Sequence, residues 1–355
     1  MRRALVLAAR GWGQVSPNPL VGAVLVRDGE VVGEGFHAAY GRAHAEVVAL
    51  EKAAALARGS TAYVTLEPCT HHGQTPPCSE ALIEAGISRV VIAVRDPNPV
   101  AAGGVEHLRQ HGITVDVGVC EQEALDLNAP FLHAVASDRP WVTLKLAVSV
   151  DGALADHTRQ VGWLTGLAAR AEVHRWRANH DAVAVGMGTV LADDPVLTVR
   201  DSKAPRIPPT RVVFSRTGRL PVTSVLARTA HEVPVLVMAH EPDPAYEATL
   251  NELGVELVPA ASLAEALRAL RARGIRSLLV EGGARLAGAL LFEGLVDRLI
   301  VFTAPVVLGA GALNAFLLAP AQRAESASRM RVVRRESFGD DLMTVYALDG
   351  ARGGA

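Results

Sequence analysis

The sequence predicts an α/β protein built from two domains, and three observations carry that prediction. The chain has 355 residues, which at roughly 150 residues per domain corresponds to about two domains. Strand-like runs alternate with helix-like runs, which indicates largely parallel sheets covered on both faces. Half of the residues are hydrophobic, so each domain can bury a core, and a disordered chain is excluded.

The first third of the chain supplies the elements of the first domain. Two β-branched runs, 21–27 and 30–36, flank an Asp-Gly dipeptide at 28–29 that is typical of a type I′ hairpin. Residues 43–57 are rich in Ala, Leu and Glu and are followed by Gly59, which predicts a helix that ends at a glycine. Similar patterns predict strands at 61–66, 89–94 and 113–119 and helices at 1–10, 79–85 and 105–110.

A change of composition after residue 120 predicts the domain boundary. The segment 121–140 is first acidic and helix-like and then reads Ser-Asp-Arg-Pro. We therefore expect a first domain at 1–120, a linker at 121–140, a second domain at 141–350 and a disordered tail at 351–355. Strands of the second domain are expected at 141–146, 182–185, 211–214, 233–238, 277–281 and 299–303.

Charge and cysteine content narrow the partners and the compartment. Lys and Arg number 35 against 37 Asp and Glu, a net charge of −2, so nothing global attracts nucleic acid or an anionic membrane. Prolines and glycines interrupt the uncharged stretch 299–321, and the apolar stretch before Arg10 is too short for a signal peptide, so no membrane segment is expected. Three cysteines cannot form a disulfide framework, and their odd number points to a reducing compartment, the cytoplasm.

The strongest chemical signal is a set of metal-ligand residues in the first domain. His44-Ala45-Glu46 opens one predicted helix, Cys69 follows a strand, and Cys78 begins the next helix. One imidazole and two thiolates suit tetrahedral zinc with a fourth position open for water, which is the arrangement of a catalytic site. Glu46 lies two residues from His44, where a general base for that water is needed. The pattern H-x-E…P-C-x-x-C is typical of zinc deaminases that act on nucleobases, but here eight residues separate the cysteines.

Two alternatives to a catalytic zinc site remain open at this stage. His71 or His72 would close the tetrahedron and make a structural site, or the two thiols are buried and unrelated. Cys120 has no other candidate ligand near it in the sequence and is expected to be a small buried or edge residue.

Four segments of the first domain resemble the bifunctional deaminase-reductases of riboflavin biosynthesis. They are Pro-Asn-Pro-Leu-Val-Gly at 17–22, His-Ala-Glu-Val at 44–47, the run 63–78 and Asp-Pro-Asn-Pro at 96–99. The resemblance implies a cytidine-deaminase-like α/β/α domain with zinc on His44, Cys69 and Cys78 and with Glu46 as proton shuttle. It further implies substrate contacts from Asn18 and, toward the phosphate, from His71. Family members often carry Lys or Arg where this chain has Gln74.

The second domain lacks a Rossmann fingerprint. The Gly-x-Gly pairs at 186–188 and 309–311 each lack the third glycine of G-x-G-x-x-G. Instead, the predicted strand 278–281 leads into Gly282-Gly283 and a small-residue helix, where a backbone can approach a ligand closely.

Three further motifs, 145–152, 188–200 and 280–283, resemble the reductase half of the same family in the same order, so that the resemblance covers about residues 2–348. It implies a dihydrofolate-reductase-like α/β domain that uses NADPH to reduce a ribosyl group to ribityl. Lys145 and Asp151 are the candidates for proton delivery. The implied NADPH contacts are Ala147, Trp163, Thr189, Asp193, Ser215, Gly283, Ala284, Arg285, Leu286, Ala287, Gly288 and Ala289, and the implied substrate contacts are Val161, Arg177, Leu197, Arg200 and Glu281.

Details of the reductase half depart from its relatives or stay open. Val161 stands where relatives commonly have a polar residue near the substrate phosphate, and relatives often have an aspartate directly before the residue that matches Ser215. Either Arg216 or Arg219 is expected to meet the 2′-phosphate that distinguishes NADPH from NADH.

The leading functional hypothesis is a cytoplasmic, bifunctional enzyme with a small phosphoribosylated pyrimidine as substrate. The resemblance also suggests a homo-oligomer. One alternative is a nucleoside, nucleotide or tRNA-base deaminase fused to an unrelated domain, although the balanced charge does not favour a tRNA reader. A second alternative is a zinc-stabilised binding protein, which would not need Glu46.

Overall fold

The computed structural model describes residues 1–72, 76–159, 162–317, 323, 325, 327 and 329–348. The chain divides into two compact units, Met1–Ser137 and Asp138–Ala355. The segment predicted as a linker, 121–140, contains two helices of the first unit, because its apolar residues Ala124, Leu125 and Phe131 pack in a core cluster of that unit. The expected tail at 351–355 lies outside the described residues.

The first unit is a five-stranded sheet with helices packed against it, in the strand order β2-β1-β3-β4-β5. Strands β3, β4 and β5 are parallel, whereas β1 is antiparallel to both of its neighbours. The helices are α1 (Arg2–Ala8), α2 (Ala45–Ala53), α3 (Cys78–Glu84), α4 (Gly104–Gln110), α5 (Glu121–Leu127) and α6 (Ala129–Ala136), and the strands are β1 (Gly22–Arg27), β2 (Glu30–Phe36), β3 (Thr61–Val64), β4 (Arg89–Ile92) and β5 (Thr114–Val117).

The hairpin between β1 and β2 confirms the prediction made from its turn. Asp28 and Gly29 take φ values of 52° and 82°, the two left-handed residues that a type I′ turn requires. A two-residue connection can join only antiparallel strands, which is why this edge of the sheet departs from the expected parallel pattern. The predicted helix at 43–57 is shorter than expected, since α2 ends at Ala53 and Ala54–Ala57 form a 3₁₀ turn.

Two glycines of β2 allow α2 to lie directly on the strand. A Cβ atom at Gly33 would stand 2.2 Å from the carbonyl oxygen of Ala49, and one at Gly35 would stand 2.1 Å from that of Ala45. No side chain fits in that space, so the backbone of α2 takes it. Because α2 carries Glu46 and begins after His44, these glycines set the position of the predicted metal motif.

The second unit is a nine-stranded sheet with the order β11-β10-β9-β8-β12-β6-β13-β16-β15, plus a two-stranded piece of β7 and β14. All neighbours from β11 to β13 are parallel, and β16 and β15 continue the sheet antiparallel. The strands are β6 (Trp141–Val148), β7 (Ala153–Ala155), β8 (Ala182–Gly186), β9 (Thr210–Ser215), β10 (Val235–Ala239), β11 (Val255–Pro259), β12 (Ser277–Glu281), β13 (Arg298–Thr303), β14 (Leu313–Asn314), β15 (Arg331–Phe338) and β16 (Asp341–Ala347), and the helices are α7 (Leu167–Ala178), α8 (Met187–Asp193), α9 (Val225–Arg228), α10 (Pro244–Glu252), α11 (Leu263–Ala272) and α12 (Ala284–Phe292).

This topology places the predicted reductase residues at one edge of the sheet. Lys145 on β6, Ser215 on β9 and Glu281 on β12 all lie at or toward the carboxyl ends of parallel strands. Open α/β sheets bind ligands outside that edge. The six strands expected from the sequence are all present, and their ends are shifted by no more than two residues. The α/β fold class is confirmed.

The uncharged stretch that begins at Leu299 forms short strands. It contributes most of β13 and the two residues of β14, with turns at the glycines between them. Across the described ranges, no helix combines the length and the apolar character needed to cross a bilayer.

Candidate functional site

The three predicted metal ligands come together in the first unit. His44 caps the start of α2, Cys78 is the first residue of α3, and Cys69 lies in the loop between β3 and α3. The Nδ1 atom of His44 is 3.2 Å from the Sγ atom of Cys78 and 3.7 Å from that of Cys69. The three ligand atoms lie within 4.8 Å of one another, and the described residues add no fourth protein ligand to this group. His71 and His72 therefore do not close the tetrahedron.

The two thiols lie in hydrogen-bond contact with each other. A hydrogen bond from the Cys78 thiol lowers the pKa of Cys69 to about 4, and the same contact raises the pKa of Cys78. The backbone N–H of Cys78 donates to the Cys69 sulfur at 3.4 Å. A hydrogen bond with Cys69 also raises the pKa of His44. A soft divalent cation such as zinc displaces these protons and satisfies all three donors at once.

Glu46 is a buried carboxylate beside this group. It is 4% exposed, and burial raises its pKa to about 7. Its Oε2 atom is buried and has no hydrogen-bond partner in the described structure. A buried polar atom without a partner is costly, and a ligand at the metal would supply the missing partner. The residues present thus fit a zinc ion with one open position.

Asn18 is held by a histidine that the sequence analysis did not single out. The Nδ2 atom of Asn18 lies 3.2 Å from Nε2 of His37, whose Nδ1 atom lies 3.2 Å from the carbonyl oxygen of Ala43. Since a carbonyl accepts only from an N–H, Nδ1 is the protonated nitrogen and Nε2 accepts from the Asn18 amide. This orientation leaves the Asn18 Oδ1 atom available. The ring of His37 also packs edge-on against His44, 5.3 Å between centroids.

The remaining predicted residues of the first unit lie outside the metal group. His71 is partly buried, and its Nδ1 atom has no hydrogen-bond partner in the described structure. Gln74 lies outside the described residues. Cys120 caps α5 and is not a member of the metal group.

In the second unit, Lys145, Arg177 and Glu281 form a buried charge cluster. Glu281 is the register partner of Lys145 across β12 and β6. Arg177 on α7 donates to both carboxylate oxygens of Glu281, at 2.5 Å and 2.8 Å, and to the carbonyl oxygen of Thr198 at 2.9 Å. Burial opposes ionisation of Glu281, but the Arg177 and Lys145 charges outweigh it and lower its pKa to about 2. Burial lowers the pKa of Lys145, and Glu281 partly offsets that effect.

The loop that follows α8 carries the predicted substrate residues Leu197 and Arg200. Leu197 is 2% exposed and takes a left-handed φ of 54°. The backbone N–H of Arg200 donates to Nδ1 of His174 at 3.2 Å, while the Arg200 side chain is exposed. His174 was missed by sequence reasoning, because a lone histidine on a helix carries no signal of its own. Val161 lies outside the described residues.

Asp151 anchors a loop. Its carboxylate accepts hydrogen bonds from Ser149 Oγ at 2.6 Å and from the backbone N–H groups of Leu308 and Gly309 at 3.1 and 2.8 Å. The Ser149 hydroxyl and these N–H groups lower the pKa of Asp151 to about 2. A carboxylate that is held ionised in this way is a poor proton donor, so the geometry favours Lys145 over Asp151 for that role.

Four of the predicted cofactor residues line one cavity of about 440 Å³ at the carboxyl ends of β9 and β10: Ser215, Arg285, Leu286 and Ala289. Gly283 has a φ of 82°, and a Cβ there would lie 3.3 Å from Thr189 Oγ1, so α8 and the start of α12 meet closely. Ala284, Ala287 and Gly288 are buried in α12.

Three other predicted cofactor residues lie elsewhere in the unit. Ala147 lies on β6 two residues after Lys145 and therefore on the same face, and Asp193 is exposed at the end of α8. Trp163 is 74% exposed, and the Cζ atom of Arg170 lies over its indole, 4.6 Å from the ring centroid.

Comparisons with known proteins agree across almost the whole chain. Residues 1–94 match the family described as the cytidine and deoxycytidylate deaminase zinc-binding region, and residues 140–344 match the RibD C-terminal domain. Riboflavin biosynthesis protein RibD of Aquifex aeolicus is 42% identical over 349 residues, covering 98% of this chain and 97% of that protein. The RibD protein of Escherichia coli is 41% identical over 356 residues, with 96% of each chain covered.

Solved structures give the same result. RibD of Acinetobacter baumannii superimposes with a TM-score of 0.82 at 41% identity, covering 98% of this chain and 97% of that one. A diaminohydroxyphosphoribosylaminopyrimidine deaminase/5-amino-6-(5-phosphoribosylamino)uracil reductase of Thermotoga maritima gives a TM-score of 0.83 at 38% identity, with the same coverage. The chain belongs to the RibD family of bifunctional enzymes of riboflavin biosynthesis, with a zinc-binding deaminase domain followed by a reductase domain.

Proposed function

We propose that this chain catalyses two consecutive reactions of riboflavin biosynthesis. The first is hydrolytic deamination of 2,5-diamino-6-(5-phosphoribosylamino)pyrimidin-4(3H)-one to 5-amino-6-(5-phosphoribosylamino)uracil with release of ammonia. The second is NADPH-dependent reduction of the ribosyl group of that product to ribityl. The observation that carries the proposal is the His44, Cys69 and Cys78 group beside the buried carboxylate of Glu46, whose Oε2 atom has no hydrogen-bond partner in the described structure. The two activities named for the Thermotoga maritima relative support the substrate assignment.

The deaminase step depends on proton transfer by Glu46. Zinc held by His44, Cys69 and Cys78 supplies Lewis acidity that makes hydroxide available near neutral pH. Glu46 accepts the proton that the attacking water loses and returns it to the departing amine, so that a C–O bond forms, the C–N bond breaks and ammonia leaves. Asn18, with its amide orientation fixed by His37, presents Oδ1 to the pyrimidine edge. His71 extends the site toward the substrate phosphate.

The reductase step depends on the buried charge cluster. NADPH, when bound, supplies the hydride that is transferred to C1′ of the ring-opened imine. Lys145 holds a proton at Nζ and delivers it to the imine nitrogen, and its lowered pKa suits it for this transfer. Arg177 is committed to Glu281 and Thr198, so it acts by fixing Glu281. The exposed guanidinium of Arg200 is left to bind the substrate phosphate.

A substitution of Glu46 separates the two activities. Glu46→Gln removes the proton shuttle and should abolish ammonia release, whereas reduction of supplied 5-amino-6-(5-phosphoribosylamino)uracil should proceed at the wild-type rate. Glu51→Gln is the matched control, because Glu51 lies on the same helix and is exposed. Ammonia release and NADPH oxidation are followed in parallel. A joint loss of both activities in Glu46→Gln, or deamination of cytidine or deoxycytidylate in place of the diaminopyrimidine, would contradict the proposal.

We further propose that the enzyme works in the cytoplasm as a homo-oligomer on a small-molecule substrate, with neither nucleic acid nor membrane as a partner. The three free cysteines support a reducing compartment, since two of them are the metal thiolates. The family resemblance supports self-association, and light scattering on the purified full chain measures it.

A further inference from the structure

Two side chains of α7 hold the backbone of the loop that carries Arg200. His174 and Arg177 are three residues apart on this helix and therefore lie on the same face of it. Arg177 Nη1 donates to the carbonyl oxygen of Thr198 at 2.9 Å, and the backbone N–H of Arg200 donates to Nδ1 of His174 at 3.2 Å. The helix thus binds one carbonyl and one N–H group of the loop, two residues apart.

Strand β9 holds the same loop from a second side. Arg211 is fully buried, and its Nη1 atom donates to the carbonyl oxygen of Val196 at 3.4 Å, while its other hydrogen bonds go to Thr229 and Val233. Leu197 lies between these anchors with a buried side chain and a φ of 54°. A residue other than glycine keeps a left-handed φ only where its surroundings fix it. The loop is therefore held in a conformation that depends on its supports.

His174 is the support whose hydrogen bond requires one protonation state. The ring is 8% exposed, and because the Arg200 N–H is the donor, Nδ1 must carry a lone pair and the proton must lie on Nε2. The charged groups that face the ring are Arg177 on the same helix, Arg200 and Asp201 on the loop, and Glu281 on β12. Burial and the two arginines lower the pKa of His174, and the two carboxylates only partly offset this. The ring is thus neutral at pH 7 and accepts the hydrogen bond.

This backbone contact decides where the Arg200 side chain begins. The guanidinium of Arg200 is exposed, whereas its backbone N–H is bound to the buried ring of His174. A cation whose backbone is fixed in advance loses less conformational entropy when it binds an anion. Bidentate hydrogen bonds from arginine to phosphate also require a defined position of the guanidinium. Loss of the His174 contact should therefore weaken phosphate binding without removing the guanidinium itself.

We infer that His174 is a positioning residue of the reductase, which holds the backbone of Arg200 so that the guanidinium meets the phosphate of the substrate. The inference rests on the proposed function for the identity of that substrate. It assigns His174 to substrate affinity and not to hydride or proton transfer. Loss of its hydrogen bond should therefore raise KM for the phosphorylated substrate and leave kcat unchanged.

Two substitutions of His174 separate its hydrogen bond from its bulk. His174→Leu removes the acceptor, whereas His174→Asn places an amide oxygen near the position of Nδ1 and cannot be protonated. In the reductase assay with 5-amino-6-(5-phosphoribosylamino)uracil at pH 7.5, His174→Leu should raise KM about tenfold and leave kcat within about twofold. His174→Asn should return KM to within about threefold of wild type. The inference is overturned if His174→Leu lowers kcat instead of raising KM, or if His174→Asn is as impaired as His174→Leu.

A double substitution tests whether His174 acts through Arg200. Arg200→Gln alone should raise KM by at least as much as His174→Leu, because it removes the guanidinium itself. Adding His174→Leu to Arg200→Gln should raise KM by no more than about twofold further, since residues that act as one unit are not additive. Additive losses would show that His174 affects binding by another route and would overturn the inference.

The pH dependence gives an independent readout. As the pH falls through the lowered pKa of His174, Nδ1 gains a proton and the hydrogen bond from Arg200 is lost. The substrate phosphate also gains a proton near pH 6, but that change is common to both proteins. The ratio of the wild-type KM to the His174→Asn KM should therefore rise between pH 7.5 and pH 5. A constant ratio would contradict the inference.

Hydrogen exchange of the full-length protein without substrate keeps this result distinct from the proposed function. The Arg200 amide should exchange faster in His174→Leu than in wild type, and His174→Asn should restore its protection. His231→Asn is the matched control, because His231 is an exposed histidine of the same unit, and it should change neither KM nor this exchange. A wild-type protein that does not reduce the deaminated substrate contradicts the proposed function, while an Arg200 amide that exchanges equally in wild type and His174→Leu overturns the inference.

Discussion

Glu281 offers the sharpest test of how the reductase cleft is held together. Its carboxylate is 11% exposed and accepts two hydrogen bonds from Arg177, with Lys145 as a second cation nearby. Glu281→Gln keeps the size of the side chain but removes its charge, leaving two buried cations without a counter-charge. We expect this variant to be markedly less stable at neutral pH, because an unpaired buried charge is costly.

The magnitude follows from the pKa of the carboxylate. Its lowering from 4.5 to about 2 corresponds to roughly 3 kcal/mol of stability above pH 4.5. Because the pKa of Glu281 is lower in the folded chain than in the unfolded chain, this stability is lost as the pH falls from about 4.5 toward 2. The difference between wild type and Glu281→Gln should therefore be roughly 3 kcal/mol at pH 7 and about 1 kcal/mol smaller at pH 3.5.

Urea unfolding followed by tryptophan fluorescence measures this difference. Three of the four tryptophans, Trp141, Trp163 and Trp176, lie in the second unit, so the signal reports mainly on that unit. Glu256→Gln is the control, because Glu256 forms an ion pair with Arg273 at the surface, with side chains 52% and 36% exposed. Exposed pairs contribute less than about 1 kcal/mol. Equal losses in the two variants at pH 7, or a Glu281→Gln loss that does not shrink between pH 7 and 3.5, would refute the reasoning.

The same substitution has a catalytic consequence. Glu281 raises the pKa of Lys145 against the effect of burial, so its removal lowers that pKa further. If Lys145 donates the proton, reductase activity falls as the pH rises through the Lys145 pKa. The basic limb of the kcat profile should therefore move to lower pH in Glu281→Gln, and an unmoved limb would argue against Lys145 as the donor.

Three further predictions concern the supports of the two sites. Gly35→Ala should push α2 away from β2, since the new Cβ would meet Ala45 O at 2.1 Å. The variant should lose about 1 to 3 kcal/mol of unfolding free energy and retain less zinc, as measured by atomic absorption. Gly188→Ala, whose Cβ meets nothing within 4 Å, should change neither quantity. Cys78→Ser should lower the zinc content and abolish ammonia release, while NADPH oxidation with the deaminated substrate continues. Equal loss of ammonia release and NADPH oxidation would show that the metal serves more than the deaminase reaction. Asp151→Asn replaces an acceptor oxygen with an NH₂ donor opposite the backbone N–H of Leu308 or Gly309. Hydrogen exchange of those two amides should therefore accelerate. Asp340→Asn, at an exposed position, is the control and should leave their exchange unchanged.

The sequence was informative where residue type alone carries the chemistry. The zinc ligands could be predicted because histidine and cysteine at helix starts have few other reasons to occur together, and the structure brings all three within 4.8 Å. The central strands could be predicted because buried parallel strands are continuous apolar runs. The edge pair β15 and β16 was missed, since half of the eight residues of β15 are charged, namely Arg331, Arg334, Arg335 and Glu336, and three of these are consecutive.

Roles that depend on distant partners were not accessible from the sequence. Arg177 on α7 pairs with Glu281 at the end of β12, 104 residues away, and no local pattern in the sequence predicts that contact. The carboxylate of Asp151 accepts hydrogen bonds from a loop more than 150 residues further along the chain, which the sequence alone did not indicate. His37 and His174 support Asn18 and Arg200 through single hydrogen bonds that leave no pattern in the sequence.

Two buried glutamates show how the same side chain is given opposite chemistry in the two units. Burial favours the protonated form of both Glu46 and Glu281. At Glu46 the nearby Cys69 charge adds to that effect and exceeds the opposing effect of His44, and the pKa rises to about 7, where a carboxyl group can gain and lose a proton. At Glu281 the guanidinium of Arg177 and the ammonium of Lys145 outweigh burial, and the pKa falls to about 2. A carboxylate in the first setting can transfer protons, and one in the second can only hold a fixed charge. The two cations beside Glu281, rather than a difference in burial, therefore keep that carboxylate ionised.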